Sequence, residues 1–396
     1  MINITDKQRC CGCSACAAVC PENCITMKPD TEGFLYPAVN TDGCISCRAC
    51  LHVCPMLHPA EEQTVPQQGW LIQNKDEAVR RDSSSGGAFS AIASSVLEKG
   101  GVVFGAAYDG AFQVVHRYAE TPEELAGFRN SKYIQSDPGN CFRTVKQFLD
   151  SGRLVCFSGT PCQSEGLVRY LGHPCPKLLI VDLVCHGTAS PLIWQKYLES
   201  QKIADRQIDQ IRFRDKYYGY KYSTMSFIKN GNTLYHAGPQ MDPMLRAFFS
   251  DICDRPSCYQ CPFKKRYRVS DLTLWDCFSV YDFDRGMDDD KGTTRVLCHT
   301  PKGVLAVKEA AHTAKCREVD PDRLVRGVKE MYHSVNQNPK REQFFQDAAE
   351  MSGERLFAKY YPVNFRIRLK TAVRRILLTT NTYRTAKMLL NKVRGR

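Results

Sequence analysis

The sequence predicts a small α+β module followed by a larger α/β domain with a partly parallel sheet. Cys10, Cys13, Cys16 and Cys20 stand in the spacing C-x2-C-x2-C-x3-C with Pro21 after it, and Cys44, Cys47, Cys50 and Cys54 with Pro55 repeat it. Further on, a strand-like run at 153–158, helical periodicity at 162–171, an unbroken apolar run at 177–185 and a helix at 190–200 follow in alternation. That order builds parallel strands with a crossover helix between them. The 396 residues, 43% hydrophobic and 24% charged, give room for two or three domains and exclude a wholly disordered or fibrous chain.

The two cysteine runs come first, at residues 1–58. Their spacing is the bacterial ferredoxin pattern, present twice, and the module is expected to be ferredoxin-like. Three thiolates on a tight loop reach three corners of one cubane, and the fourth points to the other. One [4Fe-4S] cluster is therefore assigned to Cys10, Cys13, Cys16 and Cys54, and a second to Cys44, Cys47, Cys50 and Cys20. Structural zinc also takes C-x2-C pairs, but eight cysteines with both prolines and the crossed spacing favour iron–sulfur chemistry. Cys11 and Cys24 fall outside the pattern and read as small buried or half-buried thiols.

With 21 cysteines and an opening, MINITDKQRCC, that has no apolar signal core, a reducing cytoplasm with metal-bound thiolates is expected rather than disulfides. No run reaches the ~18 apolar residues of a spanning helix. Residues 355–396 hold 12 Lys and Arg and no Asp or Glu, so residues 1–354 balance at 42 of each sign. A neutral body argues against nucleic acid as a partner.

Residues 59–68, PAEEQTVPQQ, read as a linker, and 69–350 as the α/β domain. Ser190 is placed as an N-cap with Pro191 at the first helical position. Gly159, Thr160, Pro161 and Cys162 end one expected strand, and Cys185-His186-Gly187 ends the next. Ligands of parallel sheets gather at such carboxyl ends. Ser83–Gly87 opens an expected helix at 88–99, an arrangement that brings backbone N–H groups to an anion or simply makes a capped turn.

Arg81–Gly87 (RDSSSGG), Asn130–Ser136 (NSKYIQS), Phe157–Gln163 (FSGTPCQ), Val184–Gly187 (VCHG), Phe213–Lys216 (FRDK) and Arg255–Cys261 (RPSCYQC) follow in order. Jointly they resemble the coenzyme F420 hydrogenase/dehydrogenase beta-subunit family over roughly residues 68–300. The resemblance implies an FAD-binding domain and electron movement between [4Fe-4S] clusters and a two-electron organic acceptor. That acceptor is the deazaflavin F420 in archaeal enzymes and a chlorophyll derivative in a related plant enzyme. Many bacterial relatives lie among surface-polysaccharide genes. Carried over, Ser84, Ser85, Gly86 and Gly87 lie on the phosphate or ribityl side of the flavin. Ser131, Lys132 and Tyr133 become further flavin contacts, with Lys132 offering positive charge to the ring. Family members often read T-x-G-D-F-W where this chain has Thr273-Leu274-Trp275-Asp276-Cys277-Phe278, so the local pocket differs.

Cys162 stands at a helix N-terminus, a place that lowers a thiol pKa. Cys185 ends a buried strand, and Cys258 and Cys261 form a C-x2-C ahead of Lys264, Lys265 and Arg266. These four are expected to hold a third [4Fe-4S] cluster beside the flavin. Cys253 offers an alternative to Cys185, through the C-x4-C-x2-C spacing. His186 is the best-placed histidine for proton delivery, though a structural hydrogen bond would equally explain it. The tail at 355–396 carries Phe365, Leu369, Val373, Ile376, Leu377, Met388 and Leu389 among basic residues. That pattern suits an amphipathic helix on an anionic membrane at the inner face of the cell, or one packed on the body or a partner. The function expected is an FAD-dependent oxidoreductase fed by a ferredoxin or other redox protein. The alternative is an electron-transfer subunit with no small substrate of its own.

Overall fold

The computed structural model of the protein describes residues 1–380 and Thr382. The N-terminal module is a hairpin, Ile25–Pro29 paired antiparallel with Leu35–Val39, plus the short helices Ala15–Val19 and Ala49–His52. Its two cysteine loops repeat one backbone device. Gly12 and Ser14 have φ of 71° and 65°, and the matching Ser46 and Arg48 have 58° and 63°. Left-handed turns on both sides of the second cysteine curl each loop around its first three cysteines. Three of the four positions are not glycine, so each loop adopts this shape at a cost of about 1 kcal/mol per residue.

The α/β domain is built on an eight-stranded mixed sheet. Its spatial order is Ala314–Val319, Gln68–Asn74, Thr294–Cys298, Leu272–Asp276, Leu178–Leu183, Val155–Ser158, Val102–Tyr108 and Val114–Ala119. The four strands from Leu272–Asp276 to Val102–Tyr108 run parallel, and the outer pairings are antiparallel. The central strands are apolar throughout because both faces are covered. Val155 and Phe157 pack on one side with Phe142 and Leu167, while Cys156 packs on the other with Ile92 and Val307. Helices Cys141–Asp150 and Pro161–Leu171 cover the first side; Ala88–Glu98 and Pro301–Ala310 cover the second. The expected helix at 190–200 is Pro191–Ser200, where Ser190 Oγ accepts from Ile193 N–H at 3.3 Å.

A third layer joins a small antiparallel sheet, Gln210–Asp215, Thr224–Lys229 and Asn232–Ala237, to helices Pro191–Ser200, Pro243–Phe249, Arg341–Glu350 and Gly353–Tyr360. Trp194, Tyr197, Phe213, Phe227, Phe344 and Phe357 form its core.

The expected linker is anchored, and one boundary needs correction. The stretch 59–68 is pinned to the body. Ala60 N–H donates to Glu165, Lys265 donates to the Ala60 carbonyl at 2.7 Å, and Gln68 already begins a strand. The basic tail does not begin at 355. Helix Gly353–Tyr360 buries Leu356 and Phe357, and Gly353 lies so close to Lys196 that a Cβ would fall 1.8 Å from its carbonyl oxygen. Beyond it, helix Phe365–Thr379 is capped by Asn364, which accepts from Ile367 N–H at 3.0 Å. Met388 and Leu389 lie outside the described residues. Among the described residues, no helix is long and apolar enough to cross a membrane.

Candidate iron–sulfur sites and cofactor cavity

In the N-terminal module the fourth cysteine of each run meets the other run. Cys20 lines a small hollow with Cys44, Cys47 and Cys50, and Cys24 joins them with its sulfur 3.3 Å from that of Cys20. Cys16 is held up at about 12 by burial and by the neighbouring Cys10 and Cys54. Burial raises Cys54 as well, with Cys10 again among its neighbours. Thiols gathered in two such groups suit a soft, cationic iron–sulfur core. The Cys20 group lies at the surface, with Cys47 exposed. The Cys10 group is turned towards the body.

Arg255 fixes that orientation. Its guanidinium is 1% exposed and donates to the Cys10 carbonyl at 2.7 Å, the Leu35 carbonyl at 2.9 Å and Gln135 Oε1 at 2.7 Å. A fourth donation reaches Cys10 Sγ at 3.5 Å, and Gln135 in turn donates to the Cys11 carbonyl at 3.0 Å. Gly12 must be glycine here, since a Cβ would lie 2.5 Å from Gln135 Nε2 and 2.8 Å from Arg255 Nη1. Arg143 ties down helix Ala15–Val19 by donating to the carbonyls of Ala17, Ala18 and Cys20.

Next to this joint a cavity of about 1060 Å³ opens at the carboxyl ends of strands Val155–Ser158 and Leu178–Leu183. Cys162, Cys185, Cys258 and Cys261 all line it. Burial raises Cys185 to about 12 and Cys261 to about 11, with Cys162 a neighbour of both. Burial also raises Cys258, next to Asp254, Cys185, Cys261 and Cys162. The four sulfurs are thus drawn from three separate segments into one place. Lys264 donates to the Cys185 carbonyl. Cys162 departs from expectation: its pKa is raised, first by a hydrogen bond with Cys11 and then by burial, which outweigh the helix N-terminus. Cys253, the alternative ligand, is fully buried in the aromatic core, away from the cavity lining.

Cys11 has a place that its spacing did not announce. It is buried, lines the cavity, and its thiol neighbours those of both Cys13 and Cys162. It bridges the Cys10 group and the cavity group. Its position directly after Cys10 was the available signal, and Arg255 was signalled only by standing ahead of the C-x2-C.

The rest of the cavity lining is polar and aromatic. Ser84, Ser85, Gly87, Ser131, Lys132 and Tyr133 line it, as do Gly159, Thr160 and Pro161. Gly87, with φ 79°, caps helix Ala88–Glu98 and leaves the first N–H groups of that helix near the cavity. Ser84 and Ser131 join through their hydroxyls at 2.8 Å, and Ser85 meets Thr294 Oγ1 at 2.7 Å. Arg129 Nε and Arg214 Nη2 are buried without a hydrogen-bond partner. Orphan guanidinium nitrogens beside a helix N-terminus fit an anionic group such as the pyrophosphate of FAD. Tyr133 stacks on Phe248 at 4.4 Å and 7°, giving the cavity a flat apolar wall.

Two expected contacts are placed differently. Gly86 faces the sheet, where a Cβ would fall 2.1 Å from the Ile72 carbonyl oxygen and 2.6 Å from Thr294 N. Its role is close packing. Lys132 lines the cavity, but its ammonium turns back onto the carbonyls of Gly127, Arg129 and Asn130 at 3.1–3.3 Å, and burial lowers it to about 7. It braces its own loop. His186 lines the cavity, with Nε2 2.8 Å from Asp251 Oδ1 and its ring against Phe248. Where the family-like motif changes, Trp275, Asp276 and Phe278 line the cavity while Cys277 is buried away from it, and Asp276 pairs with Arg214.

Two family descriptions match the α/β domain, both of the coenzyme F420 hydrogenase/dehydrogenase beta subunit: its N-terminal part over residues 70–139 and its C-terminal part over residues 152–323. The chain belongs to the coenzyme F420 hydrogenase/dehydrogenase beta-subunit family. Residues 9–57 match a 4Fe-4S dicluster domain, so this member carries an iron–sulfur module ahead of the family domain. A solved structure of the F420-reducing [NiFe] hydrogenase complex from Methanosarcina barkeri, in a xenon derivative, contains a similar chain at TM-score 0.46 and 16% identity, over 76% of this chain and 92% of that one. No curated protein matches.

Proposed function

We propose that this family member is an FAD-dependent iron–sulfur oxidoreductase. It passes electrons from a ferredoxin-type donor to, or from, a two-electron organic substrate. Candidate substrates are coenzyme F420 and a metabolite of surface-polysaccharide synthesis. The observation that carries the reading is the row of thiols: the Cys20 group with its exposed Cys47, the Cys10 group, Cys11, and then the cavity group of Cys162, Cys185, Cys258 and Cys261. Each group of four is a donor set for one [4Fe-4S] cluster, including a third at the cavity. A flavin, when bound, converts between single electrons and hydride equivalents.

The residues of this chain have distinct tasks in that reading. Ser84, Ser131, the helix start at Gly87 and the orphan nitrogens of Arg129 and Arg214 hold the phosphate side of FAD. Tyr133 and Phe248 wall its ring side. Gly159, Thr160 and Pro161 shape the loop that presents Cys162. His186, oriented by Asp251, holds a proton at the cavity. The test is anaerobic reduction of the bound flavin by a reduced ferredoxin, followed by its reoxidation on adding F420. Bleaching and recovery of flavin absorbance support the reading, and a purified protein that retains iron but no flavin contradicts it.

A second reading is an electron-transfer subunit that serves a partner oxidoreductase. The exposed Cys47 favours it, because one cluster would then be open to a docking protein. Turnover that depends on a stoichiometric second subunit would select this reading.

A further inference from the structure

We infer that helix Phe365–Thr379 seats the protein on an anionic lipid bilayer and sets the mouth of the cavity at the membrane surface. This inference stands apart from the redox reading and is tested by a different readout.

A helix that merely covers a body needs one inward stripe. This one has two stripes. Ile367, Thr371, Arg374 and Leu378 form the inner stripe, spaced by four, three and four residues, with Thr371 only 7% exposed. Phe365, Leu369 and Val373 form an outer stripe and are 79%, 54% and 49% exposed. Residues that large and apolar, repeating every four positions on the solvent side, are not needed for folding. The surrounding charge says what covers them. Arg366, Arg368 and Lys370 are exposed between them, and no acidic residue occurs from 355 to 396. A protein partner would need a matching acidic groove. An anionic bilayer supplies both requirements at once, with headgroups for the cations and acyl chains for Phe365, Leu369 and Val373.

The inner stripe links this surface to the site. Arg374 lines the cavity, donating to Gln240 Oε1 at 2.5 Å and lying 3.5 Å from the Tyr222 hydroxyl, both of which line it too. Seating the outer stripe in lipid therefore places the Arg374 rim of the cavity beside the headgroup layer.

The experiment is co-sedimentation of the full chain, purified anaerobically with its iron, with vesicles of phosphatidylcholine alone or mixed with phosphatidylglycerol. Pelleting is expected only with the anionic vesicles, and it should weaken as salt rises. The variant carrying Phe365→Ser, Leu369→Ser and Val373→Ser should bind at least about thirtyfold more weakly, with unchanged iron content and elution volume. A second variant, Arg366→Gln, Arg368→Gln and Lys370→Gln, should lose about a hundredfold and keeps the test open if the first fails to fold. No pelleting of the wild type overturns the inference, as does equal pelleting of either variant. A wild-type dimer that the first variant converts to monomer, without vesicle binding, assigns the stripe to self-association and also overturns it.

Discussion

The two thiol groups of the N-terminal module are built from the same loop and placed in opposite surroundings. The Cys20 group lies at the surface, with Cys47 exposed and Ile45 62% exposed beside it. The Cys10 group is walled by the body. Arg255 donates to Cys10, helix Pro161–Leu171 presses Gly166 against Cys13, and Cys11 reaches Cys162. Identical spacing therefore does not mean identical duty. The first group exposes Cys47, and the second adjoins the cavity through Cys11. Burial also sets electrostatics: a guanidinium held 1% exposed beside Cys10 stabilises negative charge there far more than a solvated one would.

Four perturbations test this contrast, beginning with the largest effect. Cys258→Ser removes a proposed cavity ligand. Loss of about four irons per chain is expected, with a fall in substrate turnover of about a thousandfold and the module clusters intact by paramagnetic resonance. Arg255→Leu should cost about 3 kcal/mol in denaturant unfolding, because it strands the Cys10 and Leu35 carbonyls in a buried joint. Iron should be released earlier from the Cys10 group than from the Cys20 group; release in the reverse order would break the comparison. Cys47→Ser is expected to slow reduction by a protein donor about a hundredfold, while a small viologen still reduces the cavity end at a rate within a few-fold of wild type. Equal losses with both reductants would mean that the outer group is not where donors dock.

The smallest effect is one of pH. Asp242 caps helix Pro243–Phe249, whose Phe248 walls the cavity, and accepts from Tyr197 at 2.6 Å and Tyr235 at 3.0 Å. Burial still holds its carboxyl up at about 6, above the ~4 of an unfolded chain. The folded protein therefore binds this proton first. The stability it contributes is full below the unfolded value and is lost as pH rises through about 6. Asp242→Asn should flatten that part of the stability profile by about 1–2 kcal/mol, read from unfolding midpoints between about pH 5 and pH 8.

Local patterns were legible in the chain, and long-range convergence was not. The parallel strands at Val155–Ser158 and Leu178–Leu183 can be read because burial on both faces writes an unbroken apolar run. The antiparallel pairing of Gln68–Asn74 with Thr294–Cys298 and Ala314–Val319 joins segments over two hundred residues apart, and no short-range signal encodes it. The crossed meeting of Cys20 and Cys54 with the opposite runs follows from spacing alone. The choice of Cys185 over Cys253 does not, because the two differ in which side of a packed layer they face. Lys132 misleads for a related reason: its ammonium is claimed by carbonyls two to five residues away, and only the turn of the loop shows it. The charge of the tail hid Leu356 and Phe357, which belong to the core.

The central claim is that a third thiol group joins the module to a flavin cavity. Iron, sulfide and flavin counts on anaerobically purified protein test it most directly, together with paramagnetic resonance of the reduced state. About twelve irons and about one FAD per chain are predicted, with a signal from the third cluster that vanishes in Cys258→Ser. About eight irons in a protein that still binds FAD, with an unchanged signal in that variant, would contradict it.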